Sequence, residues 1–173
     1  MKRRLVTGAL ALSCLAAATP CAAQGLAEDP FASHITGEWT GIGVYDGNEL
    51  SLTRSWTLEL GDQFLRADMG VAMPNGATFG AVTYWKPTGE GGYEVIWMDA
   101  TGRMQTFSAT RDPASGVVRS DFVDNLVEGG AEPRRWEFEA IGSDAYVERL
   151  FRRNRNILEL LTEWTFRRAV PRS

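Results

Sequence analysis

From Leu50 onward the chain alternates between apolar and polar positions. Leu50, Leu52, Trp56, Leu58 and Leu60 fall on one parity and Ser51, Thr53, Ser55, Thr57 and Glu59 on the other, which is the period-two pattern of a half-buried strand, interrupted on its apolar side only by Arg54. Gly61-Asp62 supplies a turn, and Leu65, Ala67, Met69, Val71 and Met73 then alternate with Phe64, Arg66, Asp68 and Gly70 as a second such strand. Pro74-Asn75-Gly76 ends it with strong turn chemistry. The same plan predicts strands over 78–86, 93–99, 104–110, 117–122, 136–140, 145–152 and 160–168, with a longer polar connection over 123–134. Residues 157–161 fit a helical turn as well as a strand, and Thr162, Trp164, Thr165 and Phe166 favour strand.

Ahead of these, Gly37 to Tyr45 reads as a first strand, with Gly41 and Gly43 at alternate positions where a strongly bent strand needs missing side chains. The expected fold is all-β: an antiparallel up-and-down meander of about 8–10 strands, which removes its edges most simply by closing into a barrel. Asp29-Pro30 offers an N-cap followed by Pro at the first helical position, predicting one short helical turn over 30–35 that plugs one end. No mature segment has the length and caps of a long helix, so α/β folds with phosphate-binding loops are not expected.

The N-terminus changes the picture of where this barrel works. Met-Lys-Arg-Arg, an apolar run from Leu5 to Ala18 and the small residues around Cys21 to Ala23 form a signal-peptide pattern, with cleavage expected after Ala23. The apolar run is too short to span a bilayer. The domain plan is therefore a cleaved signal peptide over 1–23, a leader and helical plug over 24–36 and one barrel domain over 37–170, periplasmic or secreted. Cys14 and Cys21 both leave with the signal peptide, so the mature chain offers no disulfide, thiolate metal site or Cys nucleophile. Cleavage also removes three of the 18 basic residues and no acid, leaving 15 against 22 acidic residues, a balance of −7 that argues against nucleic acid as a partner.

The start Gly37-Glu38-Trp39 resembles the Gly-x-Trp motif that opens the first strand of lipocalins and their calycin relatives. In that superfamily an Arg near the end of the last strand packs over the Trp, so the resemblance implies barrel closure by Trp39 with Arg167 or Arg168. The stretch from Phe64 through Trp97-Met98-Asp99-Ala100-Thr101-Gly102 to Asp112 is similar to an uncharacterised bacterial lipocalin-like family. Haem-binding barrels resembling nitrobindin have a similar length, but they imply an axial His on a late strand, and the single His34 precedes the first strand. No cofactor and no metal site is expected.

Few side chains offer catalysis. Asp68, Asp121 and Glu148 lie within predicted strands and would make an acid/base set if they met inside, or would pair with Arg66, Arg119 and Arg149 on the outer surface. There is no Gly-x-Ser-x-Gly elbow, and a Ser-His-Asp triad has only His34 to draw on. Arg149, Arg152, Arg153 and Arg155 form the one basic cluster, placed to guide an anionic head group or to keep a strand edge soluble. Six Trp, eight Phe and four Tyr are generous for one small domain, and the Trp residues are spread one per strand. They point to a pocket lined by Trp56, Trp85, Trp97, Phe107 and Trp136, with Arg66 or Arg149 fixing a polar end. The leading expectation is a non-enzymatic exported protein that binds a small hydrophobic or amphipathic molecule. A small-molecule enzyme using interior carboxylates and a filled barrel acting as an envelope interaction module stay open beside it.

Overall fold

A computed structural model describes residues 25–45, 47–126 and 129–170; the expected signal peptide and its cleavage point lie outside them. After a 3-10 turn at Leu26–Glu28, one short helix, α1 (Pro30–Ile35), precedes ten strands: β1 (Gly37–Tyr45), β2 (Asn48–Glu59), β3 (Phe64–Ala72), β4 (Thr78–Gly89) and β5 (Gly92–Asp99), then β6 (Met104–Arg111), β7 (Val118–Asn125), β8 (Ala131–Ile141), β9 (Ala145–Asn154) and β10 (Ile157–Arg168). Each strand pairs antiparallel with the next, and β10 returns to β1 in the register Trp39 to Arg168, so the meander closes into a barrel without a crossover. Closure satisfies both edges of a sheet that would otherwise offer unpaired backbone groups.

Parity decides what lies inside. Trp39 and Gly41 of β1, Leu50, Leu52, Arg54 and Trp56 of β2, Leu65 and Ala67 of β3, and Tyr146 and Glu148 of β9 are all buried on the inner face. Two glycines let β10 approach β1. A Cβ on Gly41 would stand 2.7 Å from the Phe166 ring, and one on Gly43 would collide with Trp164 and the Glu163 carbonyl. The close seam therefore depends on missing side chains rather than on unusual backbone angles.

Helix α1 fills one end. Asp29 caps it by accepting hydrogen bonds from the Phe31 and Ala32 N–H groups, and the Tyr93 hydroxyl donates to the same carboxylate at 2.7 Å. Phe31 then reaches into the barrel, with ring centroids 5.6–6.1 Å from Trp56, Trp85, Tyr93 and Phe138. Beneath it, Trp39 donates its indole N–H to the Ile35 carbonyl at 2.6 Å, and the Arg168 guanidinium lies 4.4 Å from the Trp39 ring centroid. Arg168 also donates to the carbonyls of Thr36 and His34, so one side chain ties the last strand, the first strand and the plug together. Arg167, the other candidate for this contact, points outward.

Two stretches differ from the sequence reading. The polar segment 123–134 is mostly strand: β7 runs on to Asn125 and β8 begins at Ala131, leaving a short connection. The inward Asp124 and Arg134 break the apolar alternation there because they line the barrel mouth. At the other end β10 begins at Ile157, which excludes the helical turn over 157–161, and its register with β9 shifts between Leu160 and Thr162. That bulge puts Leu160 outside, 51% exposed, while Thr162, Trp164 and Phe166 face in.

A candidate binding cavity above a buried ion pair

The inner face of β2 carries Arg54 at the height where the packed end of the barrel stops. Its neighbours Leu52 and Trp56 are buried by the same alternation, which carries Arg54 inside with them, 1% exposed. Across the barrel, Glu148 of β9 is equally buried, and the Arg54 Nη2 group donates to both of its oxygens at 2.7 and 3.0 Å. Trp136 donates its Nε1–H to Glu148 Oε1 at 2.9 Å. The guanidinium also lies 5.8 and 5.6 Å from the ring centroids of Trp56 and Trp136. Burial raises the Glu148 carboxyl above its ordinary value, against the opposing pull of the Arg54 charge and of the Trp136 and Arg54 hydrogen bonds.

The two sides of this ion pair are unlike. Toward α1 the interior is filled by aromatic side chains in edge-on and tilted contact, among them Trp56, Trp85 and Phe138. Toward the opposite end there is a cavity of about 120 Å³ with Arg54, Glu148 and Trp136 at its floor and Met69, Trp97, Phe107, Phe122, Leu150 and Trp164 in its walls. Its mouth is ringed by alternating charges. Arg103 bridges Asp99 and Asp124, each at 2.8 Å, and Arg134 bridges Asp124 at 3.1 Å and Glu132 at 2.9 Å. Burial alone would raise the Asp99 carboxyl, but hydrogen bonds from Thr101, Trp97 and Arg103 outweigh it and hold the group down at about 2.

One part of the wall is thin. β6 and β7 pair through the backbone only at Thr110 with Arg119 and Arg111 with Val118, beside the plugged half. Nearer the mouth, side chains bridge the seam: Ser120 Oγ donates to the Ser108 carbonyl at 2.6 Å, Gln105 donates to the Val123 carbonyl, and Arg103 Nη1 to the Asn125 carbonyl at 3.0 Å. Phe107 and Phe122, stacked at 4.8 Å across this seam, form the cavity wall behind it.

Of the residues singled out from sequence, Trp97, Phe107 and Trp136 line the cavity, whereas Trp56 and Trp85 are buried in the filled half. Arg66 and Arg149 stand on the outer face instead of inside: Arg66 pairs with Glu59 and Asp68, and Arg149 with Glu139 and Glu163. Asp68 and Asp121 are likewise outside, Asp121 held by Arg135 and Arg153. Glu148 alone of the three acids faces in. Arg54 carries the polar floor that had been expected of Arg66 or Arg149, and its signal was its phase, a cation on the parity of Leu50, Leu52, Trp56 and Leu58.

His34 sits in α1, with Nε2 3.1 Å from the Ala145 carbonyl, and does not line the cavity. A haem does not fit: the lining carries no His, and ~120 Å³ is well below the roughly 300–1,000 Å³ of pockets for drug-sized ligands. Among the described residues no group of three His, Cys, Asp or Glu is arranged to hold a metal ion, and no helix is long and apolar enough to cross a membrane.

No protein-family model and no curated protein matches this chain. Solved structures do. Rv2717c from M. tuberculosis superposes with a TM-score of 0.58 at 16% identity, covering 80% of this chain and 94% of its own. The S-type phycobiliprotein lyase CPES from Guillardia theta gives 0.57 at 10% identity, covering 82% and 92%. At these identities the likeness shows the fold alone, a closed antiparallel meander that fits the lipocalin-like barrel form.

Proposed function

We propose that this barrel is an exported binding protein for a small apolar or amphipathic molecule, held between the Arg54–Glu148 floor and the charged mouth. The observation that carries the reading is the cavity itself: a space of about 120 Å³, walled by aromatic and aliphatic side chains and opening through a charged mouth, lies above the packed aromatic cluster of the plugged half. An apolar-walled pocket of this kind gains free energy when an apolar group of matching shape replaces the solvent inside it. Its volume is close to one that accepts benzene, so the ligand is compact, of about one ring, and a longer molecule has to protrude through the mouth. Burying about 150 Å² of apolar ligand surface contributes ~4 kcal/mol, which alone corresponds to about millimolar affinity.

The catalytic alternative has lost two of its three carboxylates to the outer face, and Glu148 is committed to Arg54 and Trp136. The filled-barrel alternative describes only the plugged half. Export rests on the signal-peptide pattern of residues 1–23 and is checked by N-terminal sequencing of the protein from the cell envelope, which should begin at Gln24.

The binding reading is tested by titrating ethylbenzene into the protein while following the methyl NMR signals of Met69 and Leu150. Saturable shifts at both, with the signals of Val118 and Leu65 in the filled half unmoved, are the expected result. No shift at either methyl with ethylbenzene or any other one-ring probe would dispose of the reading.

A further inference from the structure

Polar atoms in the cavity are unequally matched. The Arg54 Nη2 group is fully used by Glu148, but Arg54 Nε and Nη1 are buried without an acceptor among the described residues, and so is Nε1 of Trp164. All three belong to side chains that line the same cavity. They are donors only, since a guanidinium and an indole N–H accept nothing. The carboxylates nearby are already engaged: Glu148 by Arg54 and Trp136, and Asp124 by Arg103 and Arg134. A buried donor without an acceptor is costly, and a molecule bound in the cavity can supply the missing oxygen.

Charge narrows the choice. Arg54 is already compensated by Glu148, and Arg103 and Arg134 by Asp99, Asp124 and Glu132. A carboxylate ligand on the free edge of Arg54 would set two carboxylates on one buried guanidinium and leave a net negative charge out of water, which is costly. A neutral acceptor satisfies the donors and leaves the charges balanced. The walls narrow it further, because Trp97, Phe107, Phe122 and Trp136 present aromatic rings to a space of about one ring.

Building on the binding reading above, we infer that the cavity selects a compact, uncharged aromatic molecule bearing a carbonyl-type oxygen, which accepts hydrogen bonds from Arg54 Nε or Nη1 and from Trp164 Nε1. Arg54 and Trp164 thereby become the residues that set specificity, and the hydrocarbon walls supply only the shape. A site that holds buried donors discriminates against an analogue lacking the acceptor far more strongly than an apolar pocket discriminates by one methylene.

Acetophenone, ethylbenzene and sodium benzoate at neutral pH serve as probes, each titrated against the wild-type protein and against Arg54→Lys and Trp164→Phe. The Arg54→Lys change keeps a cation for Glu148 but removes the fixed Nε and Nη1 donors, and Trp164→Phe keeps a ring but removes the N–H. The expected result is that Arg54→Lys weakens acetophenone about tenfold or more and Trp164→Phe about fivefold, while ethylbenzene changes less than twofold in either. Trp164→Phe gives the same reading if the Arg54→Lys variant does not fold. Equal effects on acetophenone and ethylbenzene, or no effect on acetophenone, would overturn the inference and leave the binding reading standing. Benzoate binding more tightly than acetophenone would overturn it in favour of an anion site. Binding of none of the three would remove the binding reading itself and this inference with it.

Discussion

Arg54 and Glu148 are not equivalent halves of their ion pair. An Arg cannot shed its proton in a protein, whereas a buried carboxyl escapes its charge by taking one up. Glu148→Gln therefore strands a cation among Trp56 and Trp136, at a cost of about 3–5 kcal/mol. Arg54→Met leaves Glu148 to neutralise itself and costs less at low pH. Its cost grows with pH, and the sign follows from the direction of the shift. A carboxyl raised in the folded state contributes stability that is complete below its unfolded value and is lost as pH climbs through the folded one. Removing Arg54 takes away a charge that pulls Glu148 down, so the loss is larger in the variant. Replacing both, as Arg54→Met with Glu148→Leu, should restore most of the stability of the worse single variant. Urea unfolding of the four proteins at pH 5 and pH 8 checks this. Equal losses in both single variants, with no pH dependence in Arg54→Met, would show that the pair is not acting as a desolvated ion pair.

At the scale of elements, the weak place is the seam between β6 and β7. Backbone hydrogen bonds join these strands at only two residue pairs, and stacked Phe107–Phe122 with the Ser120, Gln105 and Arg103 bridges do the rest. Amide hydrogens of 104–108 and 121–124 that face the seam, rather than β5 or β8, should exchange at least tenfold faster than those of β2 and β3, where nine consecutive pairs are registered. Gln105→Ala should widen that difference and speed entry of a one-ring probe. Uniform protection around the barrel would refute a weak seam. The alternation of β2 and β3 was readable from the chain because each strand buries one face, and the succession of short strands after them implied closure. The upper ends of β7 and β8 were not readable, because Asp124 and Arg134 face inward to ring the mouth, so polar residues occupy core parity. The start of β10 was hidden by its bulge, which reverses the parity of Leu160. Arg54 shows the limit most clearly: its phase was visible, but a single cation among leucines reads as an interruption until Glu148, 94 residues away, is seen opposite it. Arg66 and Arg149 were misplaced for the converse reason, since their own flanking residues, Leu65 and Ala67, Glu148 and Leu150, are the ones that face in.

The whole molecule is built in two storeys, an aromatic-packed one under α1, with a crevice of about 140 Å³ between the helix and the barrel rim, and a hollow one ending at the charged mouth, with the ion pair as the partition. This division makes stability and binding separable. Phe31 touches Trp56, Trp85, Tyr93 and Phe138 in the packed half and has no place in the cavity lining. Phe31→Ala leaves a void among rigid rings that cannot collapse onto it, at a cost of about 3–5 kcal/mol. The rings of Trp56 and Trp85 hold their positions through other partners: Trp56 donates to the Tyr146 hydroxyl at 3.4 Å, Trp85 to Thr83 Oγ1 at 2.9 Å. The floor above them should stay in place, so the affinity of the variant for ethylbenzene or acetophenone should lie within twofold of wild type at a temperature where both are folded. A Trp97→Ala variant should behave in the opposite sense, because Trp97 lines the cavity and anchors the rim by donating to Asp99 at 3.1 Å. It should lose probe binding by about tenfold or more while the filled half retains its near-ultraviolet aromatic signature. Thermal unfolding and probe titration of the two variants side by side decide the matter. If Phe31→Ala loses probe affinity in proportion to its stability, the partition at Arg54 and Glu148 does not insulate the cavity, and the barrel is a single cooperative core in which binding and plugging are coupled.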